Sequence, residues 1–342
     1  EDGFVRDKDV TLTPAVNKTD PVLYTNIYEV GDKKIGYLFY TSFIGEYNNS
    51  LYNVFSEFKT AGVTDLVVDL RYNRGGGSDA SIYLASLMAP KAAVQGKLPF
   101  VVRVYNKYLN DYFDSKGVKR TQHLGDYSAS SMKNPLDVNL DLNKVYVIAT
   151  GGSYSASELV TYCLKEYTDV VHIGGKTGGK FTSSFTIHPY NSFGGTVNTQ
   201  YDEKKLSSND KTLLKNWALQ PIVGMYANHK GENFSTPGYL APDYSLKEGG
   251  GYIDYWKPLG DTEDVFLGQA LYLITGDESY RPKAQSVPSM SKIKSEHGMS
   301  QNMQNFRNTR DGDIVEDIKL TPEDIQKIME IKKKYDSRNN LK

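Results

Sequence analysis

The stretch from Lys144 to Lys180 constrains the fold more than any other part of this chain. Alternating residues over 145–149 predict a strand, and a Gly-Gly turn separates this strand from a helical pattern. In that pattern the apolar residues have the spacing that gives a helix one buried face: Ala156, Leu159, Val160, Cys163 and Leu164. A second strand over 170–173 and a glycine-rich loop follow. The stretch therefore predicts a strand–helix–strand unit with Ser155 in the first turn of its helix.

Ser155 allows two interpretations. A serine at a helix N-terminus lies close to unpaired N–H groups and to the positive end of the helix dipole, so negative charge that develops there would be stabilised. Alternatively, Ser153 or Ser155 is only an N-cap, because Glu158 follows Ser155 at the spacing of a capping box. This stretch alone favours the cap, and the choice depends on Lys180 and on a second glycine cluster.

That second glycine cluster follows a β-α-β pattern earlier in the chain. Residues 34–43 predict a strand, 50–62 a helix and 63–71 a buried strand, which is typical of a parallel or mixed sheet flanked by helices. Gly75-Gly76-Gly77 comes directly afterwards and precedes a helical pattern over 78–87. Glycines at such a position permit either a tight turn alone or an N–H group that points at a reacting oxygen.

Composition is ordinary for a soluble globular protein. The 342 residues are 39% hydrophobic and 24% charged with a net charge of -1, which gives no reason to expect nucleic acid or an anionic membrane as a partner. No apolar run reaches the roughly 18 residues of a membrane span, and the chain opens without Met or a signal-peptide core, so we interpret it as a mature form or fragment without its leader.

Cysteine and histidine usage gives no indication of a metal site. The single cysteine, Cys163, excludes an internal disulfide and a cysteine-cluster zinc site, and its place on the apolar helix face predicts a buried, inert thiol. The five histidines are scattered without metal-ligand spacing. We therefore expect neither a metal nor a cofactor.

The pattern divides the chain into three parts. Residues 1–30 have no convincing core of their own, 31–278 contain the regular elements, and 279–342 combine a polar linker with a C-terminal helix. Within the middle part, 110–143 are polar and weakly periodic, which predicts a surface insertion or a lid. After the glycine-rich loop come strand patterns, including FTSSFTIH, and a helix that we expect to be capped by Thr262.

Ser155 and Lys180 form a physically reasonable catalytic pair. The return from helix to strand in a parallel sheet can bring the two positions together. Serine is a weak nucleophile until a base takes its proton, and lysine becomes that base when desolvation lowers its pKa from about 10.4 toward 7. A shift of that size corresponds to about 4 kcal/mol, which a largely buried ammonium can supply.

Several segments resemble the signature blocks of C-terminal processing peptidases, also called tail-specific proteases. The segments are DLRYNRGGG (69–77), SYSASEL (153–159), GGKTGGK (174–180) and YLAPD (239–243). The resemblance covers roughly residues 30–278. It implies an α/β fold, a ClpP/crotonase-like spiral of β-β-α units with a mixed sheet, together with an N-terminal segment and a C-terminal helical tail. It also implies an extracytoplasmic location, in the periplasm or cell envelope.

The resemblance implies a role for each matching residue. Ser155 would be the nucleophile and Lys180 the general base. The oxyanion hole would come from the Ala156 N–H and from one of the Gly75 and Gly76 amides. Together these residues predict a serine endopeptidase that cleaves polypeptides through an acyl-enzyme, near C-termini, without a metal or cofactor; the sequence does not indicate an oligomeric state.

Some positions depart from the family pattern or allow a second assignment. The third block usually reads G-E-P-T-F-G-K-G, whereas this chain has a second lysine there, Lys176, which competes with Lys180 for the role of base. Glu158 and Glu166 match acidic positions of some members; Glu158 is the candidate for supporting the pair, whereas Glu166 fits an ordinary helix carboxylate better. Many members carry a PDZ domain before the catalytic core, and residues 1–30 could at most be the end of one.

Other functional classes fit the sequence less well. The Gly174–Lys180 loop matches the body of a phosphate-binding P-loop, but Phe181 stands where the motif needs Ser or Thr, and the continuation is strand-like. A Ser-His-Asp hydrolase could use His172 or His188, but no G-x-S-x-G surrounds Ser155. A catalytically silent peptide- or ligand-binding protein on the same fold is the main alternative.

Overall fold

The computed structural model describes residues 11, 19–185, 187–190, 197–198, 203–215, 217–248, 256–282 and 320–339. Most of the predicted N-terminal segment before residue 19, and the predicted linker over 283–319, lie outside these residues. Among the described residues, no helix has the length and apolar character needed to cross a membrane.

Strands and helices alternate along the described chain. The strands are β1 (Val22–Val30), β2 (Lys33–Tyr40), β3 (Asp65–Asp69), β4 (Pro99–Tyr105), β5 (Thr121–His123), β6 (Lys144–Ala149), β7 (Asp169–Gly174), β8 (Thr182–Ser184), β9 (Ile187–His188), β10 (Val197–Asn198), β11 (Ile222–Asn228) and β12 (Tyr244–Ser245). The helices are α1 (Asn48–Ala61), α2 (Ser78–Met88), α3 (Lys91–Gln95), α4 (Lys107–Ser115), α5 (Ala156–Leu164), α6 (Ser208–Leu214), α7 (Val265–Thr275) and α8 (Pro322–Asn339).

The central sheet is mixed and six-stranded, in the order β1-β2-β3-β6-β7-β12. β1 is antiparallel to β2, and the remaining neighbours are parallel. Because β3, β6 and β7 are adjacent and parallel, the loops that follow them leave the sheet at one edge. The predicted α/β class with a mixed sheet is confirmed, and β1 shows that residues 22–30 belong to this sheet.

Helices cover both faces of the central sheet. Successive residues of a strand point to opposite sides, so each strand contributes side chains to both layers. In β2, Leu38 and Tyr40 pack in one core with α1, α2 and α5, whereas Tyr37 and Phe39 pack in a second core with α7. Full burial of such side chains contributes roughly 1.5–3 kcal/mol each. The continuous apolar runs of β3 and β6 follow from this arrangement, since both faces of these strands are covered.

A second sheet, with the order β5-β4-β11-β8, is antiparallel throughout. The C-terminal helix α8 docks beside it, where Ile325, Ile328 and Ile331 pack against a buried cluster that includes Phe113 of α4. Met329, which the sequence pattern places in the apolar stripe of α8, is instead 55% exposed.

Three local expectations need correction. Residues 110–143 do not form a surface insertion, because scattered apolar side chains such as Leu124 and Val138 are buried in the main core. FTSSFTIH is not one strand; β8 and β9 lie on either side of Phe185. Helix α7 is capped by Asp264 rather than Thr262, since the Asp264 carboxylate accepts hydrogen bonds from two N–H groups of the first turn.

Candidate active site

Three loops meet around Ser155, one after each of β3, β6 and β7. The Tyr154 N–H donates to the Asn73 carbonyl at 3.0 Å, which joins the first loop to the second. The Gly178 N–H donates to the Ser153 carbonyl at 2.9 Å, which joins the third loop to the second. The parallel register of the strands thus brings together the glycine cluster, Ser155 and the loop after β7 that carries Lys180 (the lysine loop), although they are distant in the sequence.

Ser155 has an unusual backbone conformation, with φ 55° and ψ -109°. Positive φ is rare for residues other than glycine and costs free energy, so it occurs mainly where the surrounding structure holds the residue for a functional reason. The residue is buried, and its hydroxyl has no hydrogen-bond partner among the described residues. The structure therefore holds a strained serine with an unoccupied hydroxyl at the N-terminus of α5.

Ser155 is the N-cap residue of α5, and it forms the capping box with Glu158 that the sequence pattern predicts, whereas Ser153 has another role. Glu158 accepts a hydrogen bond from the Ser155 N–H at 2.9 Å, but the Ser155 hydroxyl itself makes no hydrogen bond of ordinary geometry among the described residues. Ser153 stabilises the preceding turn instead, since its hydroxyl accepts from the Thr150 N–H and donates to the Leu70 carbonyl. Helix α5 is thus capped by the glutamate side chain, which leaves the Ser155 hydroxyl available.

The glycine cluster lies directly against Ser155. A Cβ on Gly75, whose φ is 102°, would lie 2.8 Å from the Ser155 Cβ, so no larger residue fits there without a shift. A Cβ on Gly76, whose φ is 139°, would lie 2.2 Å from the Phe43 carbonyl oxygen. The cluster is therefore more than a flexible turn; its lack of side chains permits this close approach.

The amides of this region differ in their hydrogen bonding. The Gly75 N–H donates to Asn73 Oδ1 at 2.8 Å and is occupied. In the part of the chain that the structure describes, the Gly76 and Ala156 N–H groups donate to no acceptor. Of the two glycine amides that the sequence left open, this difference favours Gly76 as an oxyanion donor, in combination with Ala156.

Lys180 is half-buried, and it lines an apolar pocket together with Ser155. The remaining wall consists of Leu159, Tyr162, Cys163, Phe181, Tyr226 and Phe234. Desolvation in this apolar surrounding lowers the pKa of the Lys180 ammonium from its ordinary value, because burial disfavours the charged form. Cys163 is buried as predicted, and the same desolvation raises the pKa of its thiol.

Lys176, the competing lysine, has a different environment. It is exposed, and its Nζ lies 4.4 Å from the centroid of the Tyr239 ring, a cation–π contact. It does not line the pocket beside Ser155. The geometry therefore favours Lys180 over Lys176 as a base.

Glu158 connects the serine to the lysine loop. Its carboxylate is fully buried and accepts from the Ser155 N–H, the Gly179 N–H at 2.7 Å, the Lys180 N–H at 2.7 Å and the Thr177 hydroxyl. One side chain thus fixes the backbone of both candidate catalytic residues.

Glu166, at the opposite end of α5, has no such role. Its carboxylate pairs with Lys230 and His229 and accepts from the Asn228 amide. The pKa of Glu166 is lowered mainly by its hydrogen bond from Lys230. Glu166 thus lies in the turn after α5 rather than within the helix, and it makes none of the contacts that Glu158 makes with the candidate catalytic residues.

His172 does not complete a Ser-His-Asp triad. Its ring nitrogens lie 3.1 Å from the Ala149 carbonyl oxygen and 3.2 Å from the Ala241 carbonyl oxygen, so both are engaged with backbone. Burial lowers its pKa. Asp243 of the YLAPD segment accepts a hydrogen bond from the backbone N–H of His172, so this segment supports β7 and supplies no acid to Ser155.

The phosphate-binding interpretation also fails. A P-loop must lead into a helix whose N-terminus faces the phosphates. The Gly174–Lys180 loop leads into strand β8 instead. No group of three or more His, Cys, Asp or Glu that could hold a metal occurs among the described residues.

Sequence reasoning missed two buried residues that organise these loops. Asn73 forms hydrogen bonds with Gly75 in the glycine cluster and with Tyr154 in the turn before Ser155. The sequence feature that could have identified it is an asparagine shortly before a run of glycines. Arg71 pairs with Asp69 and, far along the chain, with Asp264 at the start of α7. No pattern among neighbouring residues predicts an ion pair between residues so far apart in the sequence, although Arg71 lies within the DLRYNRGGG segment.

A family model described as peptidase family S41 matches residues 34–245, which is more than half of the chain. No curated protein matches. A candidate S41 protease from Bacteroides fragilis is 26% identical with a TM-score of 0.59, over 77% of this chain and 59% of that one.

Two further solved structures are more distant. The photosystem II D1 C-terminal processing protease is 19% identical with a TM-score of 0.38, over 62% of this chain and 42% of that one. A lipoprotein from Streptococcus agalactiae is 15% identical with a TM-score of 0.44, over 65% of each chain. The chain thus spans less than two thirds of the length of these three proteins.

Proposed function

This chain belongs to peptidase family S41, and from that premise we propose that it is a serine endopeptidase in which Ser155 attacks the peptide bond and Lys180 accepts its proton. One observation carries the proposal. A strained serine with an unoccupied, buried hydroxyl shares a small apolar pocket with a lysine whose pKa burial lowers. A serine nucleophile needs such a base, and the base must be neutral to act.

The chemistry requires only groups of this chain and water. Lys180 Nζ takes the proton of the Ser155 hydroxyl while Oγ bonds to the carbonyl carbon of the substrate. The carbonyl oxygen becomes an oxyanion, which the Gly76 and Ala156 N–H groups stabilise. The C–N bond then breaks, and the lysine ammonium gives its proton to the leaving amine. Water attacks the acyl-enzyme with Lys180 again as base, and Ser155 is regenerated.

Glu158 acts on this reaction through the backbone. It holds the amides of Ser155 and Lys180 on a single carboxylate, so the base and the nucleophile cannot move independently. It does not reach the reacting atoms as acid or base in this scheme. Its role in this scheme is to hold the two backbone segments together, so that the Lys180 side chain can approach the Ser155 hydroxyl.

The apolar pocket acts on the base. Its wall desolvates the Lys180 ammonium beside Ser155. A preference for cleavage near C-termini and an extracytoplasmic location are supported by the resemblance of the signature segments. The boundary between 31–278 and 279–342 is supported by the sequence pattern. The boundary between 1–30 and the middle part does not fit β1, because residues 22–30 pair with β2 in the central sheet.

The proposal is tested by incubating unfolded proteins with wild type, Ser155→Ala and Lys180→Ala, and by reading the fragments with mass spectrometry. We expect cleavage by wild type only, with or without EDTA. Equal cleavage by wild type and Ser155→Ala would remove the proposal. Binding of the peptides without cleavage by any of the three proteins would support a catalytically silent binding protein instead.

A further inference from the structure

We propose that Asn73 is a positioning residue that holds the two halves of the oxyanion hole in register, an inference that rests on the proposed peptidase function. Asn73 touches none of the reacting atoms. It lies at the junction of the two loops that carry the Gly76 and Ala156 amides, and it is fully buried.

The side chain of Asn73 fixes the glycine half. Its Oδ1 accepts from the Gly75 N–H at 2.8 Å, and its Nδ2 donates to the Tyr40 carbonyl at the end of β2 at 2.9 Å. The first bond turns the Gly75 amide toward Asn73. The following amide, that of Gly76, donates to no acceptor among the described residues. Asn73 thereby selects which glycine amide is available to an oxyanion.

The backbone carbonyl of Asn73 fixes the serine half. It accepts from the Tyr154 N–H at 3.0 Å and from the Ser157 hydroxyl at 2.8 Å. These two donors flank Ser155 and Ala156 in the sequence, so the nucleophile and the second oxyanion amide lie on a short segment that is held at both ends. Asn73 therefore forms hydrogen bonds that hold both loops.

The two loops also contact each other directly, which makes their register sensitive to small shifts. The Cβ position of Gly75 lies 2.8 Å from the Ser155 Cβ and 2.9 Å from the Ala156 nitrogen. Loss of the Asn73 side chain releases the Gly75 N–H. The Gly75 carbonyl, which shares its peptide group with the Gly76 N–H, keeps its hydrogen bond from the Phe43 N–H at 2.9 Å, so we expect the Gly76 amide to tilt about that bond and to be displaced from the oxyanion. Removal of one oxyanion donor costs on the order of 10²–10³ in kcat, and a misplaced donor approaches that loss.

Asn139 provides a matched control. It is also a buried asparagine whose Oδ1 accepts from the N–H two residues later, that of Asp141, at 3.0 Å. Its Nδ2 donates to the Ser86 and Ala89 carbonyls near the end of α2. A substitution there removes the same kind of hydrogen bonds from the core but touches none of the three loops around Ser155.

The experiment compares Asn73→Ala and Asn73→Asp with Asn139→Ala and Asn139→Asp. Each variant is measured for folded fraction by circular dichroism, for kcat and KM on a peptide substrate, and for inhibition by a peptide aldehyde, whose adduct with serine carries an oxyanion. Aspartate keeps the acceptor for the Gly75 N–H but loses the donor to Tyr40, so Asn73→Asp is both a partial rescue and a second variant if Asn73→Ala does not fold.

We expect Asn73→Ala to lower kcat on the order of 10²-fold per folded molecule, to weaken aldehyde inhibition similarly and to leave KM within about 3-fold. Asn73→Asp should fall between Asn73→Ala and wild type, and both Asn139 variants should keep wild-type kcat per folded molecule. Equal kcat per folded molecule in the Asn73 and Asn139 variants would overturn the inference alone. A wild type that neither cleaves nor binds the aldehyde would instead overturn the proposed function.

Discussion

Replacement of Glu158 by glutamine should destabilise the protein strongly although the two side chains have the same shape. Oε1 accepts from Gly179 and Thr177, and Oε2 accepts from Ser155 and Lys180. A glutamine turns one of these oxygens into an NH₂ group. We expect the NH₂ to face the Thr177 hydroxyl, because a hydroxyl can rotate to accept, and this leaves the Gly179 N–H without an acceptor.

The magnitude follows from these contacts. A hydrogen bond to a charged acceptor contributes about 1.5–3 kcal/mol and one between neutral groups about 0.5–1.5 kcal/mol. Loss of the Gly179 bond, with the weakening of the Ser155 and Lys180 bonds, sums to about 3.5–6 kcal/mol. That is a large part of the roughly 5–15 kcal/mol that stabilises a typical domain.

Urea unfolding of Glu158→Gln, with Glu166→Gln as the control, measures this difference. Glu166 lies just beyond the end of the same helix, and its Lys230 and His229 partners are 55% and 31% exposed, so its replacement should cost less than about 1 kcal/mol. In the folded fraction, Glu158→Gln should also cleave more slowly, because the loop that carries Lys180 is no longer fixed to Ser155. Equal unfolding midpoints for the two variants would show that the buried Glu158 carboxylate contributes no more to stability than Glu166 does.

Three further predictions concern the site itself. Gly76→Ala should lower kcat on the order of 10²-fold or more with an intact circular dichroism spectrum. The control Gly62→Ala, at another positive-φ glycine with no atom within 4 Å of the added Cβ, should keep the wild-type kcat. Equal turnover of the two variants would show the glycine cluster to be only a turn. Lys180→Arg should lower activity nearly as much as Lys180→Ala, since guanidinium stays protonated. Lys176→Ala should retain most activity. An active Lys180→Ala with an inactive Lys176→Ala would mean that Lys176 is the base. Because burial lowers the pKa of Lys180 below 10.5 and the base acts when neutral, kcat/KM should rise with pH through that lowered pKa, and a pH–rate profile that falls there would contradict the assignment.

Local periodicity predicted the elements that carry the site. The alternation over 144–149 and the apolar stripe of α5 arise from contacts that each element makes with one core, so both could be read from a few consecutive residues. The glycine cluster before α2 was visible for a similar reason, since its position between a strand and a helix is a matter of chain order. These features placed Ser155 at the start of a helix.

The finer geometry depends on contacts between distant segments. Neither the positive φ of Ser155 nor the bond from Gly75 to Asn73 has a periodic signature. Two contacts with distant residues favour Lys180 over Lys176 as the base: the Tyr239 ring lies against the Lys176 ammonium, and an apolar wall desolvates Lys180. The cap of α7, by contrast, is a local contact, since Asp264 accepts from the Phe266 and Leu267 N–H groups, and the sequence pattern placed it two residues too early.

Labelling with a fluorophosphonate, followed by peptide mapping, identifies the nucleophile directly, because this reagent reacts readily with a hydroxyl that a base activates. We expect a single adduct on Ser155 in the wild type, no adduct in Ser155→Ala, and labelling slowed on the order of 10²-fold or more in a folded Lys180→Ala variant. An adduct on a different residue would exclude Ser155 as the nucleophile, and labelling of Lys180→Ala at the wild-type rate would exclude Lys180 as its base.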